Sequence, residues 1–482
     1  MNFRLIAYLV SVLVVFLGLS MILPFAASLY YRDGSSIAFL SSMLAACALG
    51  GLVYTLTRKQ KEYYLSHRDG VAVVTLGWIV AGLTASLPYL FSGMIASFTD
   101  IYFECMSGFT TTGASILTDI EVLPRGILLW RSQTQWMGGM GIIVLSIAIL
   151  PFLGIGGMQL YKAETPSPVA DKLTPRISDT AKALWRIYIS LTVLLIILLF
   201  AGGMSVFDAV CHTFSTMPTG GFSPKNASVG HYQSTYINFV IILFMFLAGI
   251  NFSLHYKLVK GNIEHYIRDP EFLAYLFIIC LFILVVTMDL YGSVYTHIFD
   301  AFQYGAFQVV SLLTTTGFVT ADFESWPDLS RVILLICMAL GGMAGSTGGG
   351  IKIMRILLLV KHCYLEIIRI IHPHAITVVK LGRLPVPQSV MRSIWGFFLL
   401  YIGILIIVCI ILTALGLDML TSFSAAASCM GNVGPGLGSI GPTENFAHIP
   451  TAGKWIMIFC MLLGRLEIYT IIVLLIPGFW KK

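Results

Sequence analysis

Four glycines recur along the chain at intervals of about 100 residues, and most of them follow a Thr or Asn residue closely. This pattern is suited to the coordination of a cation by backbone carbonyl oxygens. Gly113, Gly221, Gly317 and Gly434 lie 108, 96 and 117 residues apart. A ring of carbonyls can replace the water shell of a cation without fixing a charge. Glycine permits the positive φ that turns carbonyls toward one axis. The candidate filter residues are Thr111, Thr112, Gly113, Gly220, Gly221, Thr315, Thr316, Gly317, Asn432, Val433 and Gly434.

The elements that must position these residues are membrane helices. Of the 482 residues, 57% are hydrophobic and only 11% are charged, whereas soluble domains carry about 25% charged residues. A membrane-spanning helix needs about 20 apolar residues. The sequence predicts ten spans: 5–30, 37–56, 71–91, 127–152, 184–204, 237–256, 272–291, 332–360, 394–415 and 455–479.

Four shorter segments lie between predicted spans and are too short or too polar to cross a membrane. They cover 98–112, 207–220, 298–316 and 420–433. We interpret each as a re-entrant half-helix that leads into a loop, and we call the loops 1 to 4 (109–115, 217–223, 313–318 and 431–436). A second glycine recurs in the span after each loop, at Gly139, Gly249, Gly342 and Gly464. Paired landmarks of this kind indicate a fourfold internal repeat.

The predicted fold class is therefore an all-α integral membrane protein with four pseudo-symmetric repeats of helix, pore loop and helix. A helical hairpin precedes the repeats, and the loops are expected to converge on one outer vestibule. The predicted boundaries are 1–69 for the hairpin and 70–160, 161–262, 263–375 and 376–482 for the repeats. Clusters of Lys and Arg follow spans two, four, six and eight, which places both termini in the cytoplasm and the loops outside.

A glycine-rich segment interrupts the eighth span. Six of the ten residues in 341–350 are glycine, and each costs about 1 kcal/mol in a helix interior. A broken backbone at membrane depth is tolerated where it lines a cavity or is buried in protein. Close helix packing through small residues is the alternative. The candidate gating residues here are Gly345, Ser346, Thr347, Gly348, Gly349, Gly350 and Lys352.

Arg465 lies within the last predicted span, where a charge is costly and usually functional. Two pairing alternatives are open: Glu467, or carbonyl groups of the glycine-rich segment. A positive barrier beside the pore and a purely structural ion pair are further interpretations.

Acidic residues near the outer mouth could concentrate cations or could be ordinary solvated loop residues. They are Glu104, Asp119, Glu121, Asp208, Asp300, Asp322 and Glu324.

These motifs together resemble the TrkH-type membrane subunits of the Trk/Ktr/HKT family of potassium transporters. The resemblance covers essentially the whole chain, including the N-terminal hairpin. Matching motifs are 110–113, 220–222, 314–317, 432–436, 344–350 and 463–467. The second loop departs from the Thr-rich pattern because Met217, Pro218 and Thr219 precede its glycines. Some family members have serine at the position of Gly113, so glycine here favours K+ over Na+.

The resemblance implies K+ uptake across a bacterial inner membrane through one gated pore in each subunit of a homodimer. It implies that the glycine-rich segment is a gating loop, with Arg465 on the pore side. It also implies a cytosolic regulatory ring, similar to TrkA, that binds NAD(H) or ATP/ADP. The expected ligand of this chain is the transported K+ alone, with no covalently bound cofactor. The expected partners are the second subunit, the ring and membrane lipids, and no nucleic acid.

Two other function classes compete with a passive pore. A secondary transporter that couples K+ to H+ or Na+ also uses repeats and broken helices, but it needs ionisable residues at the midplane. Few such residues occur in the predicted spans. An intramembrane enzyme needs a nucleophile or an acid–base cluster, and no such motif is present.

The basic stretch with Arg369, His372, His374 and Lys380 is a candidate docking surface for the ring or a solvated loop.

Overall fold

The computed structural model describes residues 1–58, 66–148, 177–375, 377–382 and 384–480. The predicted end of the fourth span at residue 152 and the predicted repeat boundary at 160/161 lie outside these residues, as does residue 376 at the boundary before the fourth repeat. Several of the Lys and Arg residues that follow the second and fourth spans also lie outside them.

Two apolar segments form the N-terminal hairpin. Its first arm consists of helices Phe3–Ser20 and Ile22–Tyr31, and its second arm is Ser36–Thr57. The arms approach closely because Gly18 faces the Ala46 side chain and Gly50 faces Val15. Small residues at such contacts let helix backbones pack without a hydrophobic driving force.

Asp33, in the turn between the two arms, ties the hairpin to the first repeat. Its carboxylate accepts hydrogen bonds from the Gly126 amide at 2.7 Å and from the Ser35 amide at 3.0 Å. Burial raises the pKa of Asp33, but the hydrogen bonds, led by that from the Ser28 hydroxyl, outweigh it and leave the pKa below its ordinary value. The folded protein therefore favours the carboxylate form.

We expect Asp33 to contribute stability that is fully present above pH ~4, the pKa range of an unfolded Asp, and that is lost as the pH falls through its lowered folded pKa. Asp33→Asn should lower the melting temperature of detergent-solubilised protein at pH 7. The difference from the unaltered protein should shrink below pH ~4 because both then carry a neutral side chain. Equal differences at both pH values would contradict this assignment.

The four repeats share one plan: a first helix, a short pore helix and a second helix. The first helices are His67–Ser92, Ile177–Ala201, Pro270–Leu290 and Gln388–Ala414. The pore helices, numbered 1 to 4, are Phe98–Phe109, Val206–Thr216, Ile298–Leu313 and Met419–Gly431. The second helices are Arg125–Ala148, Thr235–Ala248 with Phe252–Val259, Asp328–Ala339 with Ile353–Ile371, and Thr451–Arg465 with Ile468–Leu475. The predicted all-α repeat fold is confirmed.

Smaller elements connect these helices. They are the helices Glu264–Ile267 and Pro477–Trp480, the 3-10 turns Ser228–Tyr232, Phe323–Ser325 and Gly438–Ile440, and the antiparallel pair Lys380–Leu381 and Leu384–Pro385. Within the described part of the chain, six helices are long and apolar enough to cross a membrane, and eight if each sharply bent pair is one span. Helix Arg125–Ala148, at the place of the predicted fourth span, carries the polar stretch Arg131 to Gln135, and the predicted eighth span is interrupted, so neither is among them.

Three of the second helices are bent or interrupted and so contain non-helical backbone. The pair in the second repeat bends by 99° and the pair in the fourth by 119°. In the third repeat the helix ends at Ala339 and begins again at Ile353, on either side of the glycine-rich segment. Glycine weakens a helix, which explains why the break in the third repeat falls on 341–350.

Acidic side chains mark the start of every pore helix. Asp100, Asp208 and Asp300 lie in first helical turns, and Asp418 is the N-cap residue of pore helix 4. Negative charge at a helix N-terminus is stabilising, and the opposite end carries partial negative charge. Asp208 and Asp300, predicted near the outer mouth, therefore have a structural role. The negative ends of the pore helices lead into loops 1 to 4.

Candidate cation filter and gate

Loops 1 to 4 meet in a closed cycle. Each loop glycine faces the carbonyl oxygen of the residue that precedes the glycine of the next loop, and loop 4 faces loop 1. A Cβ atom on any of these glycines would lie under 3.0 Å from that oxygen. The pairs are Gly113 with Gly220 O, Gly221 with Thr316 O, Gly317 with Val433 O and Gly434 with Thr112 O. The same contact with a carbonyl oxygen of the next loop therefore requires glycine in each of the four loops.

The four loops share one unusual backbone conformation. Each has positive φ at its glycine and again two residues earlier. The φ values are 54° and 83° at Thr111 and Gly113, 58° and 78° at Thr219 and Gly221, 60° and 78° at Thr315 and Gly317, and 55° and 102° at Asn432 and Gly434. A β-branched residue at positive φ is a strained outlier that persists when its surroundings hold it. Thr219 was missed by the sequence prediction.

Backbone hydrogen bonds repeat with the same fourfold pattern. The amide before each glycine donates to the carbonyl of a serine six residues before that glycine. The pairs are Thr112 with Ser107 at 2.9 Å, Gly220 with Ser215 at 2.8 Å, Thr316 with Ser311 at 2.8 Å, and Val433 with Ser428 at 2.9 Å. These serines were not singled out from the sequence, although their constant spacing was a readable signal.

Side chains join the loops behind the carbonyls. In loop 1 the hydroxyls of Thr110 and Thr112 are 2.7 Å apart, and in loop 3 those of Thr314 and Thr316 are 2.8 Å apart. The Asn432 amide of loop 4 donates to the Thr112 hydroxyl at 3.0 Å. Loops 4 and 1 are therefore connected through side chains as well as through the cycle of carbonyls.

An open cavity of about 100 Å³ borders the cycle, and all four loop glycines line it. The predicted convergence on one vestibule is therefore seen. Lys225 and Glu444 contribute charges to its wall. Around its rim, Asp119 accepts a hydrogen bond from Asn226, which links the segments after loops 1 and 2. Glu324 accepts one from Gly438 and links those after loops 3 and 4.

Glu104 is not a solvated acid of the outer mouth, as the sequence allowed, because it is buried against Arg131. Arg131 Nε donates to Glu104 at 2.6 Å, and its Nη1 donates to the Ser223 carbonyl at 3.0 Å. The guanidinium also lies 3.8 Å from the centre of the Phe222 ring. Glu104 in turn accepts the Ile116 amide at 3.0 Å. This ion pair therefore joins loops 1 and 2 from behind.

We expect Glu104→Gln to destabilise the protein by about 3–5 kcal/mol, because breaking a buried ion pair leaves the other charge unpaired. The loss of stability is measured by thermal unfolding in detergent, with size-exclusion chromatography to monitor the folded protein. Glu264→Gln is the matched control, since its pair with Arg268 is exposed and such pairs contribute little. Similar losses in both variants would contradict a special role for the buried pair.

The glycine-rich segment packs against the inner ends of the pore helices. The Gly349 amide donates to the Thr315 hydroxyl of loop 3 at 2.7 Å. The Thr347 hydroxyl lies 3.0 Å from the Met217 carbonyl at the end of pore helix 2. Gly349 also lies directly against the Gly431 carbonyl at the end of pore helix 4. The segment therefore contacts three of the four repeats around the axis.

Arg465 holds the glycine-rich segment from the fourth repeat. Its Nη1 donates to the Thr347 carbonyl at 2.6 Å, and its Nη2 donates to the Gly138 carbonyl at 3.3 Å. Of the two pairing alternatives, the structure therefore places Arg465 on a carbonyl of the segment. Glu467 instead pairs with Arg355 at 2.6 Å. Arg465 is only 2% exposed, so its charge rests on these backbone oxygens.

The other candidate gating residues stabilise the segment internally and at its ends. Lys352 Nζ donates to the carbonyl of Gly348, and Gly345 accepts the Phe252 amide at 3.1 Å. Ser346 donates to the Met343 carbonyl, and Gly350 has a φ of +64°.

Glu271, which the sequence reading missed, also holds the segment. Its carboxylate accepts the amides of Ala344 at 2.7 Å and Met354 at 3.1 Å. A glutamate at the start of an apolar helix was the available signal.

The basic stretch after the third repeat is exposed. His372 and His374 follow the end of helix Ile353–Ile371 and face solvent. Arg369 forms an ion pair with Glu366 and donates to Thr377. Its guanidinium is therefore already occupied within this chain, which leaves the two histidines and Lys380 as the more available groups of the predicted docking surface.

The fold and the site define a multi-pass membrane protein in which four re-entrant loops of one chain surround a common axis. The chain belongs to the TrkH family, whose model is described as a cation transport protein and matches residues 35–482.

Relatives and a solved structure match over the whole chain. The chain is 43% identical to the Trk system potassium uptake protein TrkH of Vibrio parahaemolyticus and 42% identical to that of Escherichia coli, covering 100% of each protein. It is similar to the crystal structure of the potassium transporter TrkH from Vibrio parahaemolyticus, with a TM-score of 0.92, 41% identity and full coverage of both chains.

Proposed function

We propose that this protein mediates K+ uptake across the bacterial inner membrane through a gated, K+-selective pore. The observation that carries the proposal is the closed cycle in which each loop glycine faces a carbonyl of the next loop. Carbonyl dipoles suit a weakly hydrated monovalent cation, because several oxygens replace its water shell. Glycine at position 113, and the potassium uptake proteins to which the chain is similar, support K+ as the cation.

The glycine-rich segment is the gate in this proposal, and we assign the arrangement described above to its closed position. Support comes from its contacts with the ends of pore helices 2 and 4 and with loop 3, and from the hydrogen bond that Arg465 donates to Thr347. When the segment moves in gate opening, hydrogen bonds to water replace these hydrogen bonds. Lys352 and Arg355 connect it to helix Ile353–Ile371, through which a cytoplasmic partner can act on it.

The remaining parts of the proposal concern assembly and orientation. The protein works as a homodimer in lipid, with both termini in the cytoplasm and the vestibule outside. A cytosolic ring similar to TrkA, which binds NAD(H) or ATP/ADP, controls the gate. The exposed His372, His374 and Lys380 are the proposed docking groups. If their simultaneous replacement by alanine left binding of the ring unchanged in a pull-down from detergent, this docking surface would be wrong.

Ion flux in proteoliposomes that contain the purified chain tests the function. K+ or Na+ gradients are imposed at fixed pH, and the reversal potential is measured. We expect K+ flux to exceed Na+ flux and to reverse at the K+ equilibrium potential. A reversal potential that shifts with an imposed H+ or Na+ gradient would overturn the passive pore in favour of a coupled transporter.

A further inference from the structure

Loop 2 lacks the hydroxyl pair that loops 1 and 3 carry. In those loops the residues three positions and one position before the glycine are both threonine, and their hydroxyls are in hydrogen-bond contact. In loop 2 the same positions are Pro218 and Gly220. Neither has a polar side chain. The conformation of loop 2 nevertheless matches that of the others, so another group must support it.

That group is the side chain of Gln135, from the second helix of the first repeat. Its Nε2 donates to the Gly220 carbonyl at 2.6 Å, and its Oε1 accepts the Phe222 amide at 3.1 Å. The side chain is fully buried, and both of its polar atoms are used. A Cβ atom on Gly220 would lie 2.5 Å from Cδ of Gln135. The amide of Gln135 therefore fills the space where a threonine would stand.

The helix that carries Gln135 is built to reach loop 2. One turn later, Gly139 packs against Pro218, with a Cβ position only 2.5 Å from the Pro218 side chain. Residues four apart share a helix face, so both contacts fall on one stripe. Four residues before the corresponding glycines of the other repeats stand Met245, Met338 and Cys460. A hydrogen-bonding amide thus occurs at this position only in the first repeat, whose second helix contacts loop 2.

We propose that Gln135 is a positioning residue that fixes the Gly220 carbonyl and thereby helps to set the preference of the filter for K+ over Na+. This inference rests on the proposed function. The Gly220 oxygen is one of the four in the closed cycle. A donor on its outer side holds that oxygen in place, so that it does not move inward around a smaller ion. Without the donor, the oxygen is free to follow Na+.

The test combines loss and rescue, measured as the K+ to Na+ permeability ratio from reversal potentials in proteoliposomes. Gln135→Met keeps the size of the side chain and removes both hydrogen bonds, and we expect the ratio to fall about tenfold, which corresponds to about 1.4 kcal/mol, the order of one to two hydrogen bonds. Gly220→Thr alone should abolish flux because the new side chain overlaps Gln135. The double variant Gln135→Ala with Gly220→Thr should restore flux and the ratio, since φ at Gly220 is not positive.

Gln133→Met is the matched control. Gln133 lies on the same helix and is buried, but it donates to the Ser20 carbonyl of the hairpin, so its loss should leave the ratio unchanged. An unchanged ratio in Gln135→Met, or a double variant as inactive as Gly220→Thr, would overturn the proposal. Failure of the proposed function looks different, because the unaltered protein itself would then show no K+-selective flux.

Discussion

Gly317→Ala is expected to reduce K+ flux at least about tenfold while leaving a folded protein. Positive φ costs a non-glycine residue about 1–2 kcal/mol, and an added methyl in a filled interior costs about 1–3 kcal/mol. The methyl would overlap the Val433 carbonyl, the closest approach of its kind among the four loops. Because K+ binding in the proposed filter depends on the Val433 carbonyl oxygen, displacing that oxygen weakens K+ binding. Flux of K+ or Rb+ into proteoliposomes measures the loss.

The four loop glycines offer an internal test of this explanation. Alanine at Gly221 and Gly113 should be nearly as harmful as at Gly317, whereas Gly434 leaves 2.7 Å to the Thr112 carbonyl and should retain the most flux. Gly403→Ala is the control, because nothing lies within 4 Å of its Cβ position. Equal losses at all four loop positions would argue against overlap with the neighbouring carbonyl as the cause.

Arg465→Ala is expected to open the gate. It removes the hydrogen bonds to the Thr347 and Gly138 carbonyls, and bonds to a charged donor contribute about 1.5–3 kcal/mol each. Loss of one such bond from the closed position shifts the closed-to-open equilibrium about 10- to 100-fold. Open probability in planar bilayers, recorded without the cytosolic partner, should rise accordingly, and single-channel conductance should stay constant.

Two further variants separate gating from general damage. Arg465→Lys keeps the charge but cannot serve both carbonyls at once, so its open probability should fall between those of the unaltered protein and Arg465→Ala. Arg392→Ala, an exposed arginine in the fourth repeat, should change neither quantity. If Arg465→Ala left open probability unchanged, Arg465 would not stabilise the closed state.

The sequence was sufficient to predict the repeats and the loop glycines, because both depend on local properties. Apolar length predicts spans, and a glycine that requires positive φ stays visible in any context. The predicted re-entrant segments begin within one residue of the observed pore helices, as at Phe98 and Ile298. The break in the eighth span was visible for the same reason, since the density of glycine in 341–350 is itself a local property.

What the sequence did not reveal depends on contacts between distant repeats. The hydrogen-bond partners of Gln135, Arg131 and Glu271 lie 73 to 92 positions away. No pattern in the sequence around these three residues indicates which partners they contact. Glu104 was misplaced for the same reason, because an acid beside a loop looks solvated until its buried cation is known. Arg465 had two possible partners, and only the three-dimensional arrangement assigned Glu467 to Arg355.

The closed cycle of loops belongs to one chain, and this has a genetic consequence. In a pore assembled from identical subunits, one codon change alters every quarter at once. Here one codon change alters a single quarter, and the other three remain as a reference within the same molecule. Loop 2 can therefore differ from loops 1 and 3, with the Gln135 side chain of a neighbouring helix where those loops have a pair of threonine hydroxyls. The same property lets an experimenter alter the filter in quarter steps.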